Sequence, residues 1–419
     1  MKLERLLQGL MHNTKKRLSR FPVPHPETRQ PALSAARNLK MARSAHAYVR
    51  GNTLRFYEWL DSVAPASLPD GPPIWICGDC HIGNLGPVAN SEGELAIEIR
   101  DFDQTVIGNP AHDIVRLALS LASAARGSDL PGVITARMIE QVVAGYTDAF
   151  APKRALLTLR PPAAISRSLT QARNRTWRHL AAERLGGETM AIPHGPRFWP
   201  VAQIERDDIS QLVLSRDVRQ LVTGLHHRRD DAKVVMLDTA YWMKGCSSLG
   251  RLRYAVLMEV GKAVARGRDF CLLDIKEAIK ALAPHESYAH RMPDENGARV
   301  VAGAQAMSPF LGTRMRTGQI GRRSVFVREL LPQDMKLEFE QLSSDEATQV
   351  AYFLARTVGI AHARQMDSAT RRAWRSTLTQ NHSKVIDAPP WLWSSVVDLV
   401  ASHERGYLDH CRRYALEAA

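Results

Sequence analysis

Between residues 73 and 125 the chain changes character three times, in an order that few folds accommodate. The apolar run PIWIC gives way to the turn-rich GDCHIGNLGPVANSEG. ELAIEIRDFD follows, with Leu95, Ile97 and Ile99 alternating with other residues, and then, behind a proline-bearing turn, the apolar NPAHDIVRLALSLASAA. Short apolar or alternating runs bounded by Gly, Pro, Asn and Asp predict strands, and the last stretch predicts a helix. This order sets Asp79 and Asn84 on the first loop and Asp101 at the end of the second strand. A hairpin-like return would bring Asp101 beside Asn84, giving oxygen ligands of the kind Mg²⁺ takes alongside phosphate oxygens. Asp79 would then face a substrate hydroxyl, which a carboxylate can orient or deprotonate. Each residue alone is explained as well by turn hydrogen bonds; the set at this spacing favours chemistry.

The same loop spells C-x-x-C-H through Cys77, Cys80 and His81, the spacing of covalent haem attachment. Five cysteines, Cys77, Cys80, Cys246, Cys271 and Cys411, are odd in number and scattered, which suits reduced thiols. The opening MKLERLLQGLMHNTKKRLSR lacks the apolar segment of a signal peptide, and no apolar run of about twenty residues predicts a membrane span. A cytoplasmic location is therefore expected, which disfavours haem attachment. One C-x-x-C with one His also gives zinc too few ligands. Haem or thiol-redox chemistry remains the lesser alternative.

The 56 Lys and Arg against 43 Asp and Glu leave a formal charge of +13, a field that attracts phosphates, nucleic acid or an anionic surface. No block of five or six consecutive basic residues occurs, so a solvated basic surface is favoured over nucleic-acid binding. The densest basic stretch is near the start, around Lys15, Lys16, Arg17 and Arg20.

Four regions are expected: a helical basic segment over 1–70, a catalytic-lobe-like region over 71–225, a nucleotide-lobe-like antiparallel sheet over 226–345, and C-terminal helices over 346–419. Residues 127–225 read as mostly helical, around an uninterpretable patch GGETMAIPHGPRFWP. From about residue 232 a meander is expected: TAYWMKG, the turn CSSLG, RLRYAVLMEVG, the turn KAVARGRD and FCLLDIKEA. A helix around GARVVAGAQAM, a strand SVFVRELLP and further helices follow. GCSSLGR is not a Walker A loop, because Arg251 and Leu252 stand where Lys and Ser/Thr are needed and a strand follows.

CGDCHIGNLG with IEIRDFDQTVIGNPAHDIVRLALS resembles the catalytic segment of aminoglycoside and choline phosphotransferases of the protein-kinase-like superfamily, with its H-G-D-x-H-x-x-N, I-D-[WF] and D-P-x-x-D steps. The resemblance implies Asp79 as catalytic acid or base, Asn84 and Asp101 as Mg²⁺ ligands and Asp113 as structural, with His81 and Asp103 supporting. Cys77 replaces the usual His, and Arg100 replaces an apolar residue before Asp101. The chain also resembles a bacterial family, domain of unknown function 2252, through YVRG (with Val49 an extra residue), ICGDCHIGNLG, IRDFD, KGCSSLG and DIKEA, over most of residues 45–365.

A Gly-bearing turn between antiparallel strands, followed by a Lys on the third, is the nucleotide-covering arrangement of kinases. It implies ATP phosphates under Gly245, Ser247, Ser248 and Gly250, Lys276 pairing with them, and adenine near the backbone of Glu329, Leu330 and Leu331. Glu295 and Gln305 are the candidates for the partner of Lys276. The catalytic loop precedes the Gly-bearing turn, the reverse of kinases, so the expected fold is α+β, kinase-like, two-lobed and circularly permuted, with additional helices. TQVAYFLARTVGIAHARQMD resembles the helix that leads into the catalytic loop. The expected activity is ATP- and Mg²⁺-dependent phosphoryl transfer to an unknown hydroxyl acceptor, a small molecule or a protein. A nucleotide-binding pseudokinase and a nucleotidyl (AMP) transferase are the alternatives.

Overall fold

The computed structural model describes residues 28–64, 67–128, 130–151, 160–187, 190–225, 227–245, 249–264, 267–337, 342–379 and 388–414. The basic cluster at 15–20 and Ser247 and Ser248 lie outside them. The fold is mixed α+β.

Three helices open the described chain: α1 (Arg29–Met41), α2 (Ala45–Gly51), capped by the Ser44 hydroxyl, and α3 (Thr53–Ser62), capped by the Asn52 side chain. The strand-loop-strand-helix unit then resolves into more pieces than its sequence suggests. Strand β1 (Ile74–Ile76) leads into a single 3₁₀ turn, Ile82–Asn84. Strand β2 (Leu85–Ala89) pairs antiparallel with β3 (Leu95–Ile99) in the register Leu85 to Ile99, and β4 (Val106–Gly108) returns to pair with β1. Helices α4 (Ala111–Gly127), α5 (Gly132–Asp148), α6 (Ala163–Arg173) and α7 (Trp177–Leu185) follow. Next come β5 (Phe198–Trp199), α8 (Gln203–Val213) and α9 (Arg216–Thr223).

The meander forms as its alternation dictates. Strands β6 (Val234–Trp242), β7 (Arg253–Val264) and β8 (Gly267–Glu277) run antiparallel. Helices α10 (Asn296–Met307) and α11 (Pro309–Gly312) then lead to β9 (Met315–Ile320) and β10 (Arg323–Leu330). The six-stranded order is β5-β6-β7-β8-β10-β9, with Phe326 opposite Lys276. Helices α12 (Ser344–Ala363), α13 (Ser368–Thr379) and α14 (Pro390–Tyr414) complete the described chain. Among the described residues no helix is long and apolar enough to cross a membrane.

Period two assigns each sheet face. Val256, Met258, Leu273, Ile275, Val325 and Val327 point outward and bury under Ile209, Leu212 and Val213 of α8 and Val218, Leu221 and Val222 of α9. Arg253, Asp274, Lys276 and Arg328 alternate with them and share the inner face with Ala255, Leu257, Leu272 and Leu330. A larger core joins the strand-loop-strand unit to α4, α5, α12 and α14 through Ile76, Ile99, Val115, Val142, Leu354 and Leu392, all nearly inaccessible. The inner sheet face and the loop after β1 thus look at each other across a cleft.

Candidate functional site

Gly78 begins the loop at φ 74°, a conformation that costs an L-residue roughly 1–2 kcal/mol, and a Cβ there would sit 2.1 Å from the Gln104 carbonyl oxygen. The turn is held from beneath by Asp113 in the first turn of α4. Its carboxylate accepts the Cys77 N–H at 2.7 Å and the Gly78 N–H at 2.9 Å, and it is wholly buried. His362, near the end of α12, lies 3.2 Å from the same carboxylate through Nε2; its Nδ1 is 2.7 Å from the Tyr146 hydroxyl, to which Trp374 Nε1 donates at 3.2 Å. Asp113 therefore fixes backbone, and three distant helices brace it.

Cys77, standing in the place of His, points its thiol at the Asp101 carbonyl, 3.4 Å away, and so ties the two loops together. Cys77 and Cys80 are both fully buried; the Cys80 contact and burial push the Cys77 thiol up, and against the lowering by the Cys77 contact, burial beside Asp113 and Asp79 leaves that of Cys80 raised. The two cysteines of the haem spacing pack inside the core, while His81 faces the cleft.

Asp79 is also largely enclosed. Its carboxylate accepts Arg116 Nε and Thr53 Oγ1, each at 2.8 Å, and Arg116 in turn donates to the Val49 carbonyl at 2.7 Å. Between Asp79 and the cleft stands His81, with Nε2 4.0 Å from Asp79 Oδ2 and Nδ1 without a hydrogen-bond partner. Burial, with Arg50 and Arg116 nearby, pulls the His81 imidazole down to about 3 against the pull of Asp79, so it is neutral at pH 7.

Asn84 and Asp101 line the same cleft. The β2–β3 ladder extends one step, Arg100 N–H to Asn84 carbonyl at 2.7 Å, and sets Asp101 just beyond. Asn84 Nδ2 donates to the Asp79 carbonyl at 3.0 Å, which leaves its Oδ1 for a ligand. Lys276 reaches both carboxylates of the DFD stretch, Asp101 at 3.2 Å and Asp103 at 2.5 Å. Burial opposes ionisation of Asp101, but Lys276, the Asp103 hydrogen bond and Arg328 outweigh it and hold the carboxyl well below its usual range. Burial and the charge of Asp101 push Asp103 up. Asp101 and Asp103 are the carboxylates that Lys276 meets; of the helix candidates, Glu295 accepts from Gln319 at 3.2 Å and Gln305 is exposed on α10.

The cleft above these groups has a volume of about 480 Å³. Ten of its eighteen lining residues are Lys or Arg, and Asp101 is its one carboxylate among the described residues. They arrive from every side: Lys40 and Arg50 from α1 and α2 with Arg43 between them, Arg184 and Arg197 from around α7, Arg253 and Arg328 from the sheet, and Arg100, Lys244 and Lys336 from loops. The Arg50 guanidinium packs on Gly83, where a Cβ would lie 2.7 Å from it. Withdrawal from bulk water, with Arg50, Arg100, Arg184 and Arg253 around it, pulls the Lys336 ammonium down to about 8. Burial, with Arg253 nearby, pulls the Lys244 ammonium well below its usual range. Cations so crowded depress one another and gain when an anion enters. Sequence reasoning missed these residues apart from Arg100, because they are scattered over 297 positions and only the net charge signalled them.

The Gly-bearing turn borders this cleft. Gly245 (φ 95°) lines it and accepts from Lys40 Nζ at 3.0 Å through its carbonyl, while Gly250 (φ 99°) sits against the Gln30 side chain. Glu329 and Leu330 lie elsewhere. The Glu329 carboxylate pairs with Arg228 at 2.8 Å, its carbonyl accepts from Arg314 at 2.8 Å, and Leu330 stands opposite Leu272 in the ladder. The Leu331 N–H faces Asp334 at 3.3 Å. The Glu329 carbonyl and the Leu331 N–H and carbonyl are thus engaged within the protein, and residues 329–331 line a separate cavity of about 340 Å³ with Trp177 and Phe270.

Compared with known proteins, residues 29–413 match the model of a family described as "Uncharacterized protein conserved in bacteria (DUF2252)". No curated protein and no solved structure matches the chain.

Proposed function

The chain belongs to the DUF2252 family of bacterial proteins, and we propose that it is a Mg²⁺-dependent phosphotransferase whose triphosphate donor lies in the cationic cleft. One observation carries the reading: Asn84 and Asp101 line a cleft whose other charged walls, among the described residues, are ten Lys and Arg side chains, and the buried Lys276 pairs with Asp101 from the sheet. A strand Lys near a metal-binding Asp and Asn, below a glycine-bearing turn, is the kinase arrangement. The reversed chain order agrees with a circularly permuted kinase-like fold. After the sheet, α12 packs on α5 and returns its His362 to Asp113, which shapes the catalytic loop.

The donor set fits a hard cation: Asn84 Oδ1, the Asp101 carboxylate and the buried, unpartnered Asp103 Oδ1 are all oxygens. Asn84 and Asp101 would hold Mg²⁺, which when bound neutralises phosphate charge. Lys276 would pass from the two aspartates to a phosphate oxygen, and Arg253, Arg328 and Lys244 would spread charge around the transferring group. Asp79, fixed by Arg116 and Thr53, orients the acceptor hydroxyl and takes its proton late, since a loose transition state asks more for positioning than for a strong base.

The test is the product of slow turnover with Mg-ATP followed by ³¹P NMR. ADP with phosphate, or a phosphorylated acceptor, is the expected result. AMP with pyrophosphate would replace the reading by nucleotidyl transfer, and binding without consumption would replace it by a silent nucleotide binder.

Lys336 adds a pH signature. Its pKa near 8 rises when an anion occupies the cleft, so binding takes up a proton at pH 8–8.5, and affinity falls as pH climbs through that range. Calorimetric titration at pH 8.5 in two buffers of different ionisation enthalpy is expected to show about half a proton or more taken up, an uptake lost in Lys336→Met.

A further inference from the structure

The inner face of the six-stranded sheet is divided. One part carries Lys276, Asp274, Arg253 and Arg328; the other is an apolar floor made by Ala240, Ala255, Leu257, Leu272 and Leu330. A base stacked under this sheet beside residues 329–331 needs that floor. The floor is already covered by Leu180 and Leu185 of α7 and by Ile192, each 3% exposed.

The cover is fastened on both sides. Arg175 Nε donates to the Pro332 carbonyl at 2.7 Å, and Gln333 Nε2 donates to the Arg175 carbonyl at 3.2 Å. The Ile192 N–H donates to Asp238 on β6 at 2.8 Å, and the Trp177 ring lies 6.0 Å from that of Phe270. The cavity lined by Glu329 to Leu331 opens at the Trp177 end of α7, whereas Arg184 at the other end lines the cationic cleft. Roughly 10 Å of helix separates the two.

We propose that the cleft recognises its donor through the polyphosphate and gives the base no seat, so that Mg-ATP, Mg-GTP and Mg-tripolyphosphate bind alike. This rests on the phosphotransferase reading. The chemistry asks nothing of the base: the acceptor oxygen forms a bond to the terminal phosphorus as the bond from that phosphorus to the bridging oxygen breaks. The electron pair leaves with the diphosphate or pyrophosphate, and the acceptor's proton goes to Asp79. Affinity comes from the cationic walls, which engage the triphosphate the three donors share, so it also falls steeply with salt.

Calorimetric titration of the full chain with each donor in excess Mg²⁺, and with adenosine, tests this. Three dissociation constants within about threefold, with no heat from adenosine, are expected. ATP binding tenfold or more tightly than tripolyphosphate would show that a base seat exists and overturn the proposal while leaving the phosphate site standing. Failure of all three donors to bind would overturn both.

Discussion

Replacing Asp101 by alanine is expected to weaken Mg-triphosphate binding by two orders of magnitude or more while the protein stays folded. Asp101 is the carboxylate that opens to the cleft, its side chain 40% exposed, beside the free oxygen of Asn84. Loss even of groups that only orient metal ligands costs 10–100-fold in affinity, and Asp101 would be a ligand itself. A second effect adds to the first. Without the charge of Asp101, Asp103 ionises more readily and keeps Lys276, already 2.5 Å away, from the phosphates. Asp101→Asn retains an oxygen donor and is expected to lose less. Calorimetric dissociation constants for wild type and both variants check this, with the thermal midpoint reporting the fold; an Asp101→Ala constant within threefold of wild type would remove Asp101 from the site.

The largest effect on stability is expected at Asp113, which no ligand touches. Asp113→Ala strands two buried N–H donors, of Cys77 and Gly78, and leaves His362 facing a void. An unsatisfied buried group costs about 1–3 kcal/mol, so the sum is on the order of 4 kcal/mol. With an unfolding entropy of about 2.1 cal/mol/K per residue, this lowers the midpoint by roughly 5 °C in a chain of 419 residues. Asp113→Asn keeps one acceptor and is expected to lose about half as much. Scanning calorimetry measures both, and a loss under about 1 kcal/mol for alanine would mean that the turn is held by other contacts.

The strands that sequence reasoning found are those with regular alternation or an apolar run: β1, β3, the meander β6 to β8, and β10. β2 escaped because LGPVA carries Gly86 and Pro87 and reads as turn, and β9 because MRTGQI is a half-exposed edge strand with a glycine inside. That Asn84 and Asp101 line one cleft was legible because a short hairpin sets both locally. The partners of Asp79 and Asp113 were not: Arg116 hides in an apolar helix, its sole signal a charge on a buried face, and His362 lies 249 positions from Asp113. The patch GGETMAIPHGPRFWP has no periodicity because tertiary contacts shape it; it supplies Ile192 and β5, and with α7 it covers the sheet floor. That is why the nucleotide contacts expected at Glu329 and Leu330 could be drawn from strand order, while the cover beside them could not.

The most direct test of the cleft as a Mg²⁺-dependent phosphate site is the thermal midpoint of the wild-type protein with ATP, with Mg²⁺ and with both. Ligand at a hundredfold over its dissociation constant stabilises by about 2.7 kcal/mol, or roughly 3 °C for this chain length. The account predicts that rise with Mg-ATP and a much smaller one with either component alone. An unchanged midpoint at millimolar Mg-ATP, or a rise of equal size without Mg²⁺, would contradict it.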